Sequence, residues 1–203
     1  MYEHFGIIKS FKVNDRYMKI TCISGSPNAG GNNEKLLDIV LGMVRERGYE
    51  SDAILLSQFN VQPCTDCGVC KKAKECPIDD DMASISGKLE KSDAFIITSP
   101  VFFGCMTAQL KALFDRTILL RRNGFLLKGK LGAALAVGGS RNGGQELTIQ
   151  AIHSWMHIHG MIVVGDGAHF GGIATKPVES DDVGLKTVRD TVNMLCDMLS
   201  RIK

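Results

Sequence analysis

Cys64, Cys67, Cys70 and Cys76 stand in the pattern C-x2-C-x2-C-x5-C, closed by Pro77. Three thiols at intervals of three residues let one tight loop offer three thiolates to a cuboidal iron–sulfur core. A fourth, a few residues on, completes the ligand set. In the bacterial ferredoxin run C-x2-C-x2-C-x3-C-P the fourth cysteine serves another cluster. Here the gap is longer and the sequence holds no second cysteine group, so all four fit one [4Fe–4S] site. Other chemistries stay open for the same residues. A structural zinc more naturally takes two separated cysteine pairs. Thiol–disulfide exchange has its C-x-x-C twice, but without the helix N-terminal setting that activates it. Unliganded thiols are the plainest alternative. Lys71, Lys72 and Lys74 in the same stretch read either as a solvated face or as charges that offset a negative centre and attract an acidic electron carrier.

The second chemical stretch is Ser24-Gly-Ser-Pro-Asn-Ala-Gly-Gly-Asn-Asn33. It follows an apolar run, Ile20–Ile23, and precedes Glu34–Arg47, where Leu36, Leu37, Val40, Leu41 and Val44 recur at helical spacing. A loop placed so meets a helix N-terminus, with unpaired N–H groups and the positive end of the dipole, which suits a phosphate. Glycines let the backbone approach closely. Ser24, Ser26, Asn28, Asn32 and Asn33 supply donors. With no Walker lysine and no G-x-G-x-x-G, a nucleoside triphosphate and an ordinary dinucleotide fingerprint are disfavoured. A neutral loop fits a small phosphomonoester such as that of FMN; a turn-rich strand–helix connection is the alternative.

The elements that must position these stretches follow from periodicity. Strands are expected at Lys19–Ser24, Ser51–Leu56, Ala94–Ser99, Leu131–Val137 and Met161–Val164. Helices are expected at Glu34–Arg47, Met82–Lys91, Thr107–Leu120, Gln145–His159 and Val183–Ile202, with Asp80 or Asp81 near the N-cap of the second. Residues 61–81 form a long functional loop and 165–172 a glycine-rich connection. This alternation indicates a doubly wound five-stranded parallel α/β sheet, flavodoxin-like, in the order 2-1-3-4-5, with a cysteine-rich insertion. In such sheets ligands lie beyond the carboxyl ends of the strands, and loops 24–33, 99–104 and 138–144 all fall there.

The 203 residues favour one domain, 18–203, preceded by an extension, 1–17. The extension reads as an edge segment, an arm to a neighbouring subunit, or an over-extended start with Met18 as the initiator. A net charge of +2 gives no nucleic-acid footprint. No transmembrane run or signal peptide is present, so a soluble cytoplasmic protein is expected. Seven cysteines in that setting point to metal or redox chemistry before disulfides. Cys22 and Cys196 read as core residues, and Cys105 as packing near the third-strand loop. His153 and His157 share a helix face but form no H-E-x-x-H. With Trp155 and Met156 they suggest a subunit interface. Asp115 and Arg116 read as structural contacts.

With these residues in place, the chain resembles the iron–sulfur flavoproteins within the NAD(P)H-dependent FMN-reductase group. The marks are SGSPNAGGNN at 24–33, the cysteine motif at 64–76, DDDM at 79–82, SPVFFG at 99–104, LKALFDR at 110–116 and AVGGSRNGGQE at 136–146. The resemblance implies tightly held FMN. Ser26, Asn28, Asn32 and Asn33 would hold its phosphate by hydrogen bonding, where relatives often place a basic residue at 28 and threonine at 33. Pro100, Val101, Phe102, Phe103 and Gly104 would line the flavin ring; Gly139, Ser140, Arg141 and Gly144 would approach its other edge. It also implies a homodimer or homotetramer and reduced ferredoxin as donor. The leading expectation is therefore an electron carrier or FMN-dependent oxidoreductase linking a one-electron donor, a [4Fe–4S] cluster and FMN. An NAD(P)H-dependent FMN or quinone reductase without a working cluster is the alternative, and a redox sensor a distant third.

Overall fold

Ile20 to Ser24 are all buried, which explains why KITCIS forms the central strand β1 (Lys19–Ser24) of a computed structural model that describes residues 18–202. The chain then runs through α1 (Asn32–Glu46), β2 (Glu50–Leu55), α2 (Met82–Lys91), β3 (Ala94–Pro100), α3 (Ala108–Arg116), α4 (Ile118–Arg122), β4 (Leu131–Gly138), α5 (Gln145–Ile158), β5 (Ile162–Val164), β6 (Gly172–Thr175) and α6 (Asp182–Ile202). All pairings are parallel, and the main path is β2-β1-β3-β4-β5. This is the expected doubly wound order. The strands at its centre are buried along nearly their whole length because both faces are covered. Leu36, Val40 and Val44 of α1 share one core with Val188, Val192 and Leu195 of α6. Ile85 and Leu89 of α2, Leu110 and Leu113 of α3, and Ile149 and Ile152 of α5 fill the other. The readings for residues 1–17 lie outside the described residues. Among the described residues no helix is long and apolar enough to cross a membrane.

Two elements differ from the sequence reading. The sheet has a sixth strand. β5 pairs with Leu131–Ala133, whereas β6 pairs with Leu135–Gly138, so two short strands share the edge beside β4. β6 lacks a strand signature because its approach needs glycine. A Cβ on Gly171 would lie 2.2 Å from the Ala134 carbonyl oxygen, and one on Gly172 2.5 Å from Leu135.

The expected helix Thr107–Leu120 is broken at Thr117 into α3 and α4. There ψ rises to −4°, and the Thr117 hydroxyl donates to the Phe114 carbonyl at 2.6 Å. The same hydroxyl oxygen accepts from the Trp155 indole at 2.8 Å and lies 2.9 Å from His159 Nε2. A threonine that back-bonds three residues and serves two further partners replaces regular helix at this point.

Candidate functional site

Because every strand is parallel, loops 25–31, 101–107 and 139–144 leave from one edge of the sheet. Side-chain ties then fix their relative positions. The Gly25 amide donates to the Thr98 carbonyl at 2.8 Å, and the Thr107 hydroxyl donates to the Gly25 carbonyl at 2.5 Å. Thr107 is also the N-cap of α3, accepting from the Leu110 amide. A Cβ at Gly25 would meet Leu110 at 2.9 Å, so this close approach requires glycine.

Within the first loop, Ser26 Oγ accepts the Asn28 amide at 3.1 Å, and Ser24 Oγ accepts the Ser26 amide. Asn33 is buried and its carbonyl oxygen accepts from Thr98 Oγ1 at 2.8 Å; that of Asn32 accepts the Val178 amide at 2.9 Å. Both asparagines are thereby oriented by their oxygens, with the NH2 end as the donor each has to offer. Their backbone amides open α1, where no intrahelical acceptor exists for them. Glu34 reaches back to the Gly30 amide at 2.7 Å and is itself fixed by the Ser57 hydroxyl.

The other two loops meet at glycines. Phe102 and Cys105 exchange backbone hydrogen bonds in a tight turn. At its tip Phe103 has φ of 48° and is fully exposed, while Phe102 is 46% exposed. A bulky residue held in the left-handed region at a ligand edge is a marker of function. The exposure of both rings removes core packing as their role. Pro100 ends β3, and Val101 donates its amide to the Val137 carbonyl. Opposite Gly104, Gly144 has φ of 101°, and a Cβ there would lie 3.1 Å from the Gly104 Cα. Gln145, unassigned in the sequence reading, organises the third loop: its side chain donates to the Ser140 carbonyl at 2.6 Å and accepts from the Gly143 amide at 2.8 Å.

Gly139 and Ser140 are exposed on this edge. Arg141 pairs with Asp181, at 2.5 Å, and with Gly144 of the same loop it lines a recess of about 500 Å3 bordered also by His169 and Thr187. Burial pushes the Asp181 carboxyl up, but the Gly184 amide, Arg141 and Thr175 outweigh it and hold the group at about 2.

The cysteine loop lies beside α3 and α4. Cys64, Cys67, Cys70 and Cys76 all line one small cavity, closed by Pro77, Ile118 and Leu119 and flanked by Arg116 and Arg122. A short 3-10 turn, Val69–Lys71, carries Cys70. All four thiols are free. Among the described residues no three His, Cys, Asp or Glu side chains are gathered around the position of a single metal ion. The donor set is that of a polynuclear centre: four soft sulfurs, an apolar wall and two guanidinium groups.

Asp80 and Arg116 clamp the base of this loop. Their side chains are 0% and 1% exposed and pair at 2.7 and 3.1 Å. Arg116 also donates to the Gln62 carbonyl, and Asp80 accepts from the Gln62 and Met82 amides. Burial drives the Asp80 carboxyl up, yet Arg116 and the two amides hold it below the usual carboxylate range. For Arg116, burial works against the charge, but Asp80 and then Cys76 raise its pKa. The structural contact expected of Arg116 is therefore a tie to the cysteine loop. Arg122, which the sequence reading passed over, donates to Cys70 Sγ at 2.8 Å.

On α5, the helix read as an interface, Trp155, Met156 and His153 are buried within the chain itself. Trp155 stacks on Phe114 with ring centroids 4.3 Å apart. Only His157 of that group faces solvent. Beside them an apolar groove of about 330 Å3 opens between α3, α4 and α5, lined by Met106, Phe114, Ile118 and Ile158. Cys22 and Cys196 are core thiols, pushed up to about 12 and about 11 chiefly by burial. Cys105 is exposed rather than packed.

A parallel sheet with this strand order, and three loops converging on its carboxyl edge, defines a flavodoxin-like protein. The chain belongs to the NADPH-dependent FMN reductase family, whose description matches residues 18–175. It is 56% identical to an iron-sulfur flavoprotein of Methanosarcina thermophila, over 92% of this chain and 97% of that one. It is 45% identical to an iron-sulfur flavoprotein of Methanocaldococcus jannaschii, over 92% of this chain and all of the other. Its fold resembles a solved WrbA-like flavodoxin of Agrobacterium tumefaciens, with a TM-score of 0.66 and 15% identity over 93% of this chain and 100% of that one.

Proposed function

We propose that this protein is an electron-transfer iron–sulfur flavoprotein. FMN is held by the three carboxyl-edge loops and a [4Fe–4S] cluster by Cys64, Cys67, Cys70 and Cys76. The observation that carries the reading is that all four motif cysteines line a single cavity in a flavodoxin-like fold. When bound, FMN takes one or two electrons and the cluster one at a time, which would link a one-electron donor to a two-electron acceptor. The residues of the chain bind and orient. Ser26, Asn28, Asn32 and Asn33, with the first amides of α1, offer a neutral phosphate cradle. Pro100–Gly104 offers a rigid turn with two exposed aromatic rings, and Gly139–Gly144 closes against it. Ile118, Leu119 and Pro77 supply an apolar wall beside the sulfurs.

Lys71, Lys72 and Lys74 are exposed around the cysteine loop, a surface that suits an acidic one-electron donor such as ferredoxin. From Thr107, tied to the first flavin loop, to Arg116 beside the cysteines, the chain follows α3 for roughly 13 Å. A homodimer or homotetramer seated on the groove beside Ile118 would bring one subunit's cysteine loop toward another's flavin edge.

The test is anaerobic preparation with quantitation of FMN, iron and labile sulfide. Equal FMN and cluster are expected. Replacing any one of the four motif cysteines with serine should reduce iron and leave FMN bound, whereas Cys22→Ala and Cys196→Ala should spare both. Full FMN without iron or sulfide after reconstitution would overturn the cluster. The matching family description would then favour the second reading, an NAD(P)H-dependent FMN or quinone reductase, and hydride transfer to the bound flavin would be the activity to measure.

A further inference from the structure

We infer that Arg122 is a potential-setting residue: its guanidinium donates to the Cys70 sulfur and raises the reduction potential of the cluster proposed for this cavity. The inference rests on that cluster reading. A core held by four thiolates carries net negative charge. One electron taken from a one-electron donor, with no bond made or broken, makes it more negative by one unit. An adjacent positive charge and an N–H···S hydrogen bond both favour the more negative state, and hydrogen bonds to the sulfurs are a known determinant of cluster potential.

Arg122 is singled out from the other cations by what each one faces. Arg116 borders the same cavity, but its charge is matched by Asp80 in a buried pair. Arg121 lies over the Phe125 ring, 5.1 Å from its centroid. Lys71, Lys72 and Lys74 are solvated, and water weakens their influence. Arg122 is half-buried, sits on the cavity wall, and makes its hydrogen bond to Cys70 Sγ at 2.8 Å. Among the described residues no carboxylate pairs with it. The acidic residue on the cavity lining, Asp66, is exposed and meets the sulfurs through its amide, which donates to Cys64 Sγ at 3.4 Å. The short α4 places Arg122 here because Thr117 breaks the preceding helix; an unbroken α3 would carry residue 122 along another line.

The test is a redox titration of holoprotein by electron paramagnetic resonance, for wild type, Arg122→Gln and Arg122→Lys, with the FMN midpoint as internal control. Iron and sulfide content come first. A wild type that holds no cluster removes the underlying reading, while a wild type that holds one leaves only this inference at stake. Arg122→Gln should shift the one-electron equilibrium roughly tenfold toward the oxidised cluster, a fall of about 59 mV, with the FMN midpoint unchanged. Arg122→Lys, which keeps the charge but loses the fixed fork, should fall by less. Equal cluster midpoints in wild type and Arg122→Gln overturn the inference. If Arg122→Gln retains no cluster, the lysine variant decides: a midpoint below wild type supports the role, and an unchanged one overturns it. Failure of both variants to load a cluster makes Arg122 a structural tie and also overturns it.

Discussion

At the carboxyl edge of the sheet, most ties are neutral, as in Thr107 to Gly25, Thr98 to Asn33 and Gln145 to Ser140, with the ion pair Arg141–Asp181 at one side. Around the cysteines the joins are ionic. Arg116 grips Asp80 across 36 residues of sequence, and Arg122 reaches Cys70 across 52. The first region presents backbone and small polar groups, so the chemistry it can offer is set by glycine and small polar residues. The second gathers four soft thiols, and the positive charge beside them comes from outside their own loop. A change to the ionic ties should therefore disable one region and leave the other working.

The largest expected effect comes from Asp80→Ala. Removing one partner of a buried pair leaves Arg116 charged without compensation, a cost of roughly 3–5 kcal/mol. Chemical denaturation should show that loss, and iron content should fall while FMN per chain stays constant. Equal loss of FMN and iron in the variant that remains folded would mean that the two regions are not independent.

Acid should separate the regions in a second way. His159 is buried against Trp155 and Thr117, and burial, then Arg121, pushes its pKa from 6.5 down to about 4. Thr117 gives its hydroxyl proton to Phe114, so His159 Nε2 is the donor to Thr117, and Nδ1 is left buried without a partner. Between these pH values the unfolded chain binds the proton and the folded chain does not. Stability is thus complete above about 6.5 and declines as pH falls to about 4, by about 3 kcal/mol. His153, held at about 4 by burial and then His157, acts in the same direction. Asp181, on the Arg141 side of the sheet edge, acts in the same direction in a lower window: its depressed pKa contributes stability above 3.8, and that contribution is lost as pH falls toward about 2. Urea unfolding of wild type between pH 7 and 4.5 should show the decline. His159→Gln, which keeps a donor for Thr117, should remove about half of it. An unaltered slope would show that His159 takes up its proton without disturbing the α3–α4 break.

The contrast also explains what could be read from sequence. Strand order and the three flavin-type loops follow from apolar runs and turn residues inside single strand–loop–helix units, such as Ile20–Asn33. The cysteine spacing is equally local. The clamp is half visible in sequence: DDDM and LKALFDR stand out as motifs, yet nothing in either names its partner, because an ion pair between distant segments leaves no periodicity. Arg122 was hidden by a helix that looked continuous to Leu120. β6 was hidden by the glycines that let it dock. Trp155, His153 and Met156 look like surplus apolar surface in sequence because no local pattern announces a break at Thr117 that takes up an indole and an imidazole.

The smallest expected effect tests the neutral region alone. Gly144→Ala places a methyl 3.1 Å from the Gly104 Cα and holds alanine at φ of 101°, a strain of about 1–2 kcal/mol. Loops 101–107 and 139–144 can relieve part of it by moving apart when no flavin lies between them. Bound FMN would need them together, so some of the strain should be felt as weaker FMN retention, roughly tenfold if about 1.4 kcal/mol of it falls on binding. Iron content should not change. Gly87→Ala in α2 is the control: its Cβ meets nothing within 4 Å, so the helix should gain about 1 kcal/mol and FMN retention should stay the same. Fluorescence titration of the FMN-free chains reads both variants. Undiminished FMN affinity in Gly144→Ala would show that the Gly104–Gly144 contact is incidental, and that the ring is held by the first two loops without the third.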